Sequence, residues 1–235
     1  MNHPQIPQTL LIDIDGTITG YLPGALAPEK LFEGNFLFPI LLDELVNSGF
    51  SRDEAAGMIR NKCAENVFWN YTLLIRSLGA DEERTMSRFE KWHQDNLFVH
   101  QDMVSVIKFF SGLGVKLYII SNNPVDGCEL KLLRAGLDPG LFAGILGTDI
   151  LQGCKGAPGV WQRALAMVET PPEACASIGD DPVEDVLLPQ ECGIGRSFLL
   201  CRSRAGSFSV KGRTVETGNA AGIPEFFGMQ LTGER

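Results

Sequence analysis

The octapeptide Leu10-Leu11-Ile12-Asp13-Ile14-Asp15-Gly16-Thr17 constrains this chain more than any other segment. An apolar run ends in two carboxylates one residue apart, and a glycine then breaks it. A strand alternates its side chains with period two, so Asp13 and Asp15 leave on the same side. Two like charges that close are costly unless a cation or a proton lies between them. The segment therefore reads as a buried strand whose end presents an acidic site. Asp-Gly is also a common turn pair, so the segment alone leaves a plain strand and turn open.

Three later segments shift that balance. Val115 to Asn123 is an apolar run closing on Ser121-Asn122-Asn123, a second buried strand ending in small hydrogen-bonding groups. Lys155 sits in the Gly-rich context Gly153-Cys154-Lys155-Gly156, where a lone lysine is ordinarily solvated. Ile178-Gly179-Asp180-Asp181-Pro182-Val183-Glu184-Asp185 joins a short apolar stretch to a helical pattern. Helix capping and dipole chemistry account for one or two of the four acids there, but not easily for all of them.

Taken in order, strand-Asp-x-Asp-Gly-Thr, strand-Ser-Asn, Lys and Gly-Asp-Asp-x-x-x-Asp, the chain resembles the haloacid dehalogenase-like hydrolases, a superfamily mostly of magnesium-dependent phosphatases. The resemblance runs from about residue 8 to about residue 200 and is carried by Asp13, Asp15, Gly16, Thr17, Ser121, Asn122, Lys155, Gly179, Asp180 and Asp185. It implies that Asp13 attacks phosphorus to form an aspartyl-phosphate, and that Asp15 protonates the departing alcohol and then activates water. Lys155 belongs to the same catalytic set. The resemblance places the phosphate among Gly16, Thr17, Ser121, Asn122 and Lys155. It places Mg²⁺ among Asp13, Asp15 through its backbone carbonyl, Asp180 and Asp185. Asp185 alternatively orients Lys155, and Asp181 is a further candidate support. The second acid, Asp15, favours a phosphatase over a dehalogenase, because a halide leaves without a proton. A phosphosugar mutase and a non-catalytic metal- or ligand-binding module are the rival readings.

Composition sets the outer bounds. With 20 Lys and Arg against 29 Asp and Glu, the net charge of −9 argues against nucleic acid as a partner. It leaves room for a small phosphorylated metabolite, which needs only local positive charge. No apolar run is long enough to span a bilayer, and the first nine residues lack the pattern of a signal peptide. The expectation is a cytoplasmic monomer or homodimer with no membrane partner. The six cysteines form no Cys-x-x-Cys pair and read as reduced thiols. His3, His93 and His100 show no ligand spacing and read as surface or hinge residues.

Apolar strands near 9–14, 115–120, 144–148, 174–178 and 197–201 alternate with helical patterns near 102–113, 124–135, 157–168 and 183–191. Such alternation predicts an α/β fold, a Rossmann-like doubly wound parallel sheet. In that fold ligands bind beyond the carboxyl ends of the strands, where every motif above falls. Residues 17–99 break the alternation with helices near 35–48, 52–64, 67–78 and 82–96. Ser51 and Glu54 form a capping box, Gly49 and Gly79 are helix stops, and Asp81 is an N-cap. The pattern reads as a helical insert in the core, and the resemblance implies that it is a cap, 17–99, on a catalytic core of 1–16 and 100–235; a rigid accessory domain is the alternative. Arg52, Arg60, Lys62, Trp69, Tyr71 and Arg76 are candidate cleft residues of the cap, Lys62 also being the one candidate for a Schiff-base lysine. The tail beyond about 203 reads as a loop before a short closing segment, Ile223–Phe227.

Overall fold

The fully buried residues Leu10, Leu11 and Ile12 belong to β1, Thr9–Ile12, which lies inside a sheet covered on both faces. The computed structural model of the protein describes residues 4–65, 70–204 and 208–231. Further strands are β2 (Thr19–Tyr21), β3 (Leu97–Val99), β4 (Lys116–Ile120), β5 (Gly144–Leu146), β6 (Cys175–Gly179), β7 (Arg196–Leu200), β8 (Phe208–Lys211) and β9 (Thr214–Thr217). Among the described residues they form a seven-stranded sheet of order β5-β4-β1-β6-β7-β9-β8 and a separate β2-β3 ribbon. β1 runs parallel to β4 and β6, with Leu10 beside Leu117 on one side and Ala176 on the other. Within the seven-stranded sheet only β8 runs against its neighbour, β9, and the ribbon is antiparallel as well.

Parallel neighbours need crossover connections, and helices supply them. The core helices are α5 (Gln101–Gly112), α6 (Val125–Arg134), α7 (Thr148–Leu151), α8 (Val160–Met167), α9 (Leu188–Glu191) and α10 (Gly222–Phe226). They follow α1 (Phe38–Asn47), α2 (Arg52–Glu65), α3 (Tyr71–Ser77) and α4 (Glu82–Asn96). Strand alternation sorts the apolar residues onto two faces. Leu10 and Ile12 pack with Ile107, Phe110, Phe198 and Phe227, whereas Leu11 packs with Tyr118, Val160 and Trp161. The fold is the doubly wound, Rossmann-like α/β sheet that the strand and helix pattern predicts. Because β1 separates β4 from β6, the chain end after Ile12 opens where the strand order reverses.

Helices α1–α4 bury an apolar set of their own, including Leu41, Leu45, Ile59, Ile75 and Phe89. The local signals act as read. Glu54 Oε2 accepts from the Ser51 amide at 2.9 Å, Asp81 caps the Arg84 amide, and Gly49 and Gly79 hold left-handed φ of 102° and 70°. The ribbon pairs Thr19 with Val99 and Tyr21 with Leu97, so the chain enters and leaves the helical segment side by side. The helical segment rests on α6. Asp126 accepts from the Thr72 amide at 2.8 Å, and a Cβ on Gly127 would lie 2.9 Å from the Tyr71 ring.

Several expectations need correction. The tail beyond 203 carries β8 and β9, which extend the sheet edge; the short β-branched runs there are flanked by glycine and serine and hide the hairpin. The 144–148 segment is a strand only to Leu146 and then turns into α7. The helix read near 183–191 is a π-helical turn at Val183–Leu187 followed by α9. The helix read near 67–78 is described as α3 from Tyr71; Trp69 and His3 lie outside the described residues. His93 is not a surface residue. It is 1% exposed in the last turn of α4, with Nδ1 2.7 Å from the Phe89 carbonyl and its ring edge-on to Phe36.

Burial pushes the His93 imidazole down to about 4, and the Lys131 charge adds to the effect. An unfolded chain takes up that proton near pH 6.5, so stability falls as pH drops from about 6.5 towards 4. The loss from this one group reaches about 3 kcal/mol at the acid end. Because raised carboxyl groups elsewhere titrate in the same window, the effect is read as a difference. In urea denaturation the stability of the wild type relative to a His93→Phe variant, which has no proton to bind, is expected to fall by about that amount between pH 6.5 and 4.

Candidate active site

The backbone turns sharply at the end of β1. The Asp13 amide donates to Ile178 O at 2.9 Å, Ile18 and Thr19 amides both return to Ile14 O, and the Gly16 amide donates to Thr19 O at 2.7 Å. Gly16 has a φ of +81°, and a Cβ there would fall 2.0 Å from Asp180 Oδ2. Only glycine permits that turn and lets Asp180 close against the strand end. Gly179 acts in the same way, since a Cβ on it would lie 2.0 Å from Asp185 Oδ2.

These close approaches gather Asp13, Asp180 and Asp185, whose carboxylate oxygens lie within 4.8 Å of one another. Lys155 reaches in from the loop after α7. Its Nζ donates to Asp13 Oδ1 at 2.6 Å and to Asp185 Oδ1 at 2.7 Å, and all three side chains are buried. Asn122 fixes the lysine: its Oδ1 accepts from the Lys155 amide at 2.7 Å, while its Nδ2 donates to Glu184. The π-helical turn points Asp185 inward, where Oδ2 also accepts from the Asp181 amide at 3.1 Å. Such turns recur at functional positions. Asp181 faces the other way and caps the Val183 and Glu184 amides at 2.8 Å each, so it does not join the cluster.

One ammonium does not balance three carboxylates. Burial, opposed by Lys155 and reinforced by Asp185, pushes the Asp13 carboxyl up to about 7. Asp180 is open to solvent on its outer side, yet partial desolvation and then Asp13 push it up to about 6. Asp13 Oδ2 and Thr17 Oγ1 are both buried without a hydrogen-bond partner. Buried polar atoms in native proteins are normally paired, so an orphaned carboxylate oxygen inside a cluster with excess negative charge marks a ligand site. An all-oxygen donor set with excess negative charge fits a hard divalent cation, with Asp13, Asp180 and Asp185 as its holders.

The contact expected of Asp15 with a cation is through its backbone carbonyl, and the side chain leaves that carbonyl to it. Its side chain lies outside the cluster: Lys131 Nζ donates to Oδ1 at 2.8 Å and to Oδ2 at 2.7 Å, and Asn123 Nδ2 donates to Oδ2 at 2.6 Å. Only its backbone carbonyl remains available to a cation. Burial alone would raise the Asp15 carboxyl, but the Lys131 charge and hydrogen bonds outweigh it and hold the group below its ordinary value. Ser121 is buried, and its Oγ accepts from the Asn123 amide at 3.2 Å and from Asn123 Nδ2 at 2.9 Å. The structure thus brings Asp13, Thr17, Ser121, Asn122, Lys155, Asp180 and Asp185 to one end of the sheet, with Asp15 beside them on its own lysine.

A family model of haloacid dehalogenase-like hydrolases matches residues 7–193, most of the chain and every residue of this cluster. The chain is a haloacid dehalogenase-like hydrolase. Solved structures with this fold include a HAD phosphatase from Thermococcus onnurineus, 19% identical over 95% of this chain and 99% of that one, TM-score 0.59. Another is a 2-haloacid dehalogenase from Pseudomonas syringae pv. tomato DC3000, 17% identical over 95% and 99%, TM-score 0.62. The HAD-hydrolase YfnB from Bacillus subtilis, a magnesium-bound structure, is 17% identical over 96% and 100%, TM-score 0.56. At these identities the likeness establishes the fold. No curated protein matches the chain.

The hydrolase also uses residues that the sequence motifs do not flag. Lys131 and Asn123 hold Asp15. Arg202, just past β7, donates to Thr17 O at 3.0 Å and to Asp102 Oδ2 at 2.9 Å, so it clamps the turn after β1. One signal for Lys131 was present: on α6 it shares a helix face with Gly127 and Cys128, four and three residues earlier, and that face is buried. The suggested cleft residues find other work. Arg60 pairs with Glu33, Lys62 with Glu65 and Arg76 with Glu82 on exposed surfaces, and Tyr71 is buried against α6. Arg52 is exposed at the start of α2, and Lys62, only half-buried and paired with Glu65, lacks the desolvated setting that a Schiff-base lysine requires.

Titration calorimetry with Mg²⁺ separates the two neighbouring acids. Asp180→Asn is expected to weaken binding at least about tenfold, whereas Asp181→Asn, which alters a cap outside the cluster, is expected to change it far less.

Proposed function

We propose that this hydrolase is a Mg²⁺-dependent phosphatase that hydrolyses a small phosphorylated metabolite through an aspartyl-phosphate on Asp13. One observation carries the reading. Asp13 offers two unlike oxygens, Oδ1 bound by Lys155 and Oδ2 buried without a partner at the mouth of the strand. A carboxylate held by one oxygen and bare on the other is arranged as an in-line nucleophile.

The roles of the other groups follow from position. Phosphoryl transfer is chiefly a matter of alignment and charge neutralisation. Lys155 would neutralise the transferring group on one side, and Thr17 Oγ1, Ser121 and the Asn122 amide would hold its oxygens. Bound Mg²⁺ would supply the positive charge that the three carboxylates lack and keep Asp13 ionised at neutral pH. Asp15 would give a proton to the departing oxygen and take one from the water that hydrolyses the intermediate. A carbon–halogen hydrolase expels a halide and needs no such second acid, which favours phosphate ester over haloacid. The helical segment 17–99 would serve as the cap over the site, the remaining core being 1–16 and 100–235. The chain's six unpaired cysteines suit a reducing, cytoplasmic setting.

Hydrolysis of p-nitrophenyl phosphate tests the reading. The expected result is Mg²⁺-dependent release of phosphate, abolished by EDTA and lowered at least about 1,000-fold in Asp13→Asn. Activity that survives both controls rules the mechanism out. An isomerised sugar phosphate formed from a hexose 1-phosphate, in place of free phosphate, would point to a mutase instead.

A further inference from the structure

Lys131 has no part in the cluster around Asp13, yet its side chain is fully buried. A buried ammonium persists only where partners compensate its lost hydration. Lys131 has four: Asp15 Oδ1 at 2.8 Å, Asp15 Oδ2 at 2.7 Å, Asn123 Oδ1 at 2.9 Å and the Tyr21 hydroxyl at 3.0 Å. The Tyr21 ring lies 5.3 Å and the Phe36 ring 6.0 Å from Nζ, closing the remaining side.

Two simpler roles fit poorly. A lysine that binds phosphate must reach it, but Lys131 has no exposed surface and its three donors are shared among four acceptors. A residue that merely fills the α6 face would be apolar, as its buried neighbours Cys128 and Leu132 are. What the arrangement does accomplish is geometric. An ammonium that bonds both oxygens of a carboxylate fixes its plane and its rotation. Asn123 ties that fixed carboxylate to Ser121 Oγ, on the strand end that would hold the phosphoryl group. Through its bond to the Tyr21 hydroxyl, Lys131 links that carboxylate to the β2-β3 ribbon at the base of the helical segment.

We propose that Lys131 is a positioning residue: it holds the Asp15 carboxylate in the orientation that takes a proton from the water attacking phosphorylated Asp13. The inference rests on the phosphatase reading above. In that step the water oxygen bonds to phosphorus and one water proton passes to Asp15. The bond between phosphorus and Asp13 breaks, its electron pair returns to the Asp13 carboxylate, and inorganic phosphate is released. Formation of the intermediate from an aryl phosphate does not need Asp15, because nitrophenolate departs without a proton.

The two steps are separated by rapid mixing with p-nitrophenyl phosphate and Mg²⁺. Lys131→Met is expected to keep a nitrophenolate burst of about one equivalent per enzyme. Its steady-state rate is expected to fall at least about 100-fold. Slowing only the second step lowers kcat and KM together and leaves kcat/KM unchanged, and acid quenching is expected to trap phosphate on Asp13. A purely structural lysine would lose the burst along with turnover. Burst loss in a folded variant, or wild-type turnover, overturns the inference. Should Lys131→Met fail to fold, Tyr21→Phe decides: it keeps the ring and removes one acceptor. The same joint fall of kcat and KM, at least about threefold, is then expected. Unchanged kinetics, or a fall in kcat/KM, overturns the inference. A wild type with no Asp13-dependent phosphate release overturns the phosphatase reading itself, and this inference with it.

Discussion

Mutual repulsion among Asp13, Asp180 and Asp185 is the constraint around which the molecule is arranged. Three carboxylates from two distant stretches of chain are forced together at the carboxyl edge of the sheet, and one ammonium, Lys155, stands between two of them. Nothing in the isolated segments would bring them there. The parallel pairing of β1 with β6 delivers the two acidic loops side by side, and the missing side chains of Gly16 and Gly179 let the carboxylates close to contact. The apolar layers on both faces of the sheet, from Leu10 and Phe198 on one side to Leu11 and Trp161 on the other, supply the stability against which this electrostatic strain is held. A divalent cation, which this cluster could hold, would relieve that burden.

The two acids of the first motif are separated electrostatically even though only one residue lies between them. Asp13 is pushed up by burial and by Asp185, with Lys155 opposing. Asp15, against the effect of burial, is held down by Lys131. Each has its own lysine, drawn from a different element: Lys155 from the loop after α7, Lys131 from the buried face of α6. Environments that drive paired carboxyl groups apart are the usual means of giving them different tasks. Here the division is one of position as well as charge, since Asp13 keeps a bare oxygen and Asp15 has both of its oxygens bonded.

The same α6 carries the helical segment. Asp126 caps α3 through the Thr72 amide, Gly127 admits the Tyr71 ring, and Lys131 meets Tyr21 from the ribbon. The face that seats the helices is thus continuous with the face that holds Asp15. The Arg202 clamp on the turn after β1 completes the set of contacts that fix the motif from behind.

What the sequence determined by itself was whatever depends on short-range order along the chain. Alternating strands and helices specified the sheet, the spacing of Asp13 and Asp15 put them on one side, and the Ser51–Glu54 box and the glycine stops marked helix ends within a residue or two. Four motifs in fixed order were enough to indicate the family and the acidic cluster. The tertiary structure alone decided which charge meets which. Lys131, Asn123 and Arg202 lie 116, 108 and 185 residues from the Asp15 or Thr17 atoms that they hold, and no local pattern encodes such a meeting. Asp180 and Asp181 are likewise adjacent in sequence but turned opposite ways, one into the cluster and one onto its own helix end. Local propensity is a property of neighbours in the chain, whereas a buried ion pair is fixed only when the packed core sets both partners at hydrogen-bonding distance.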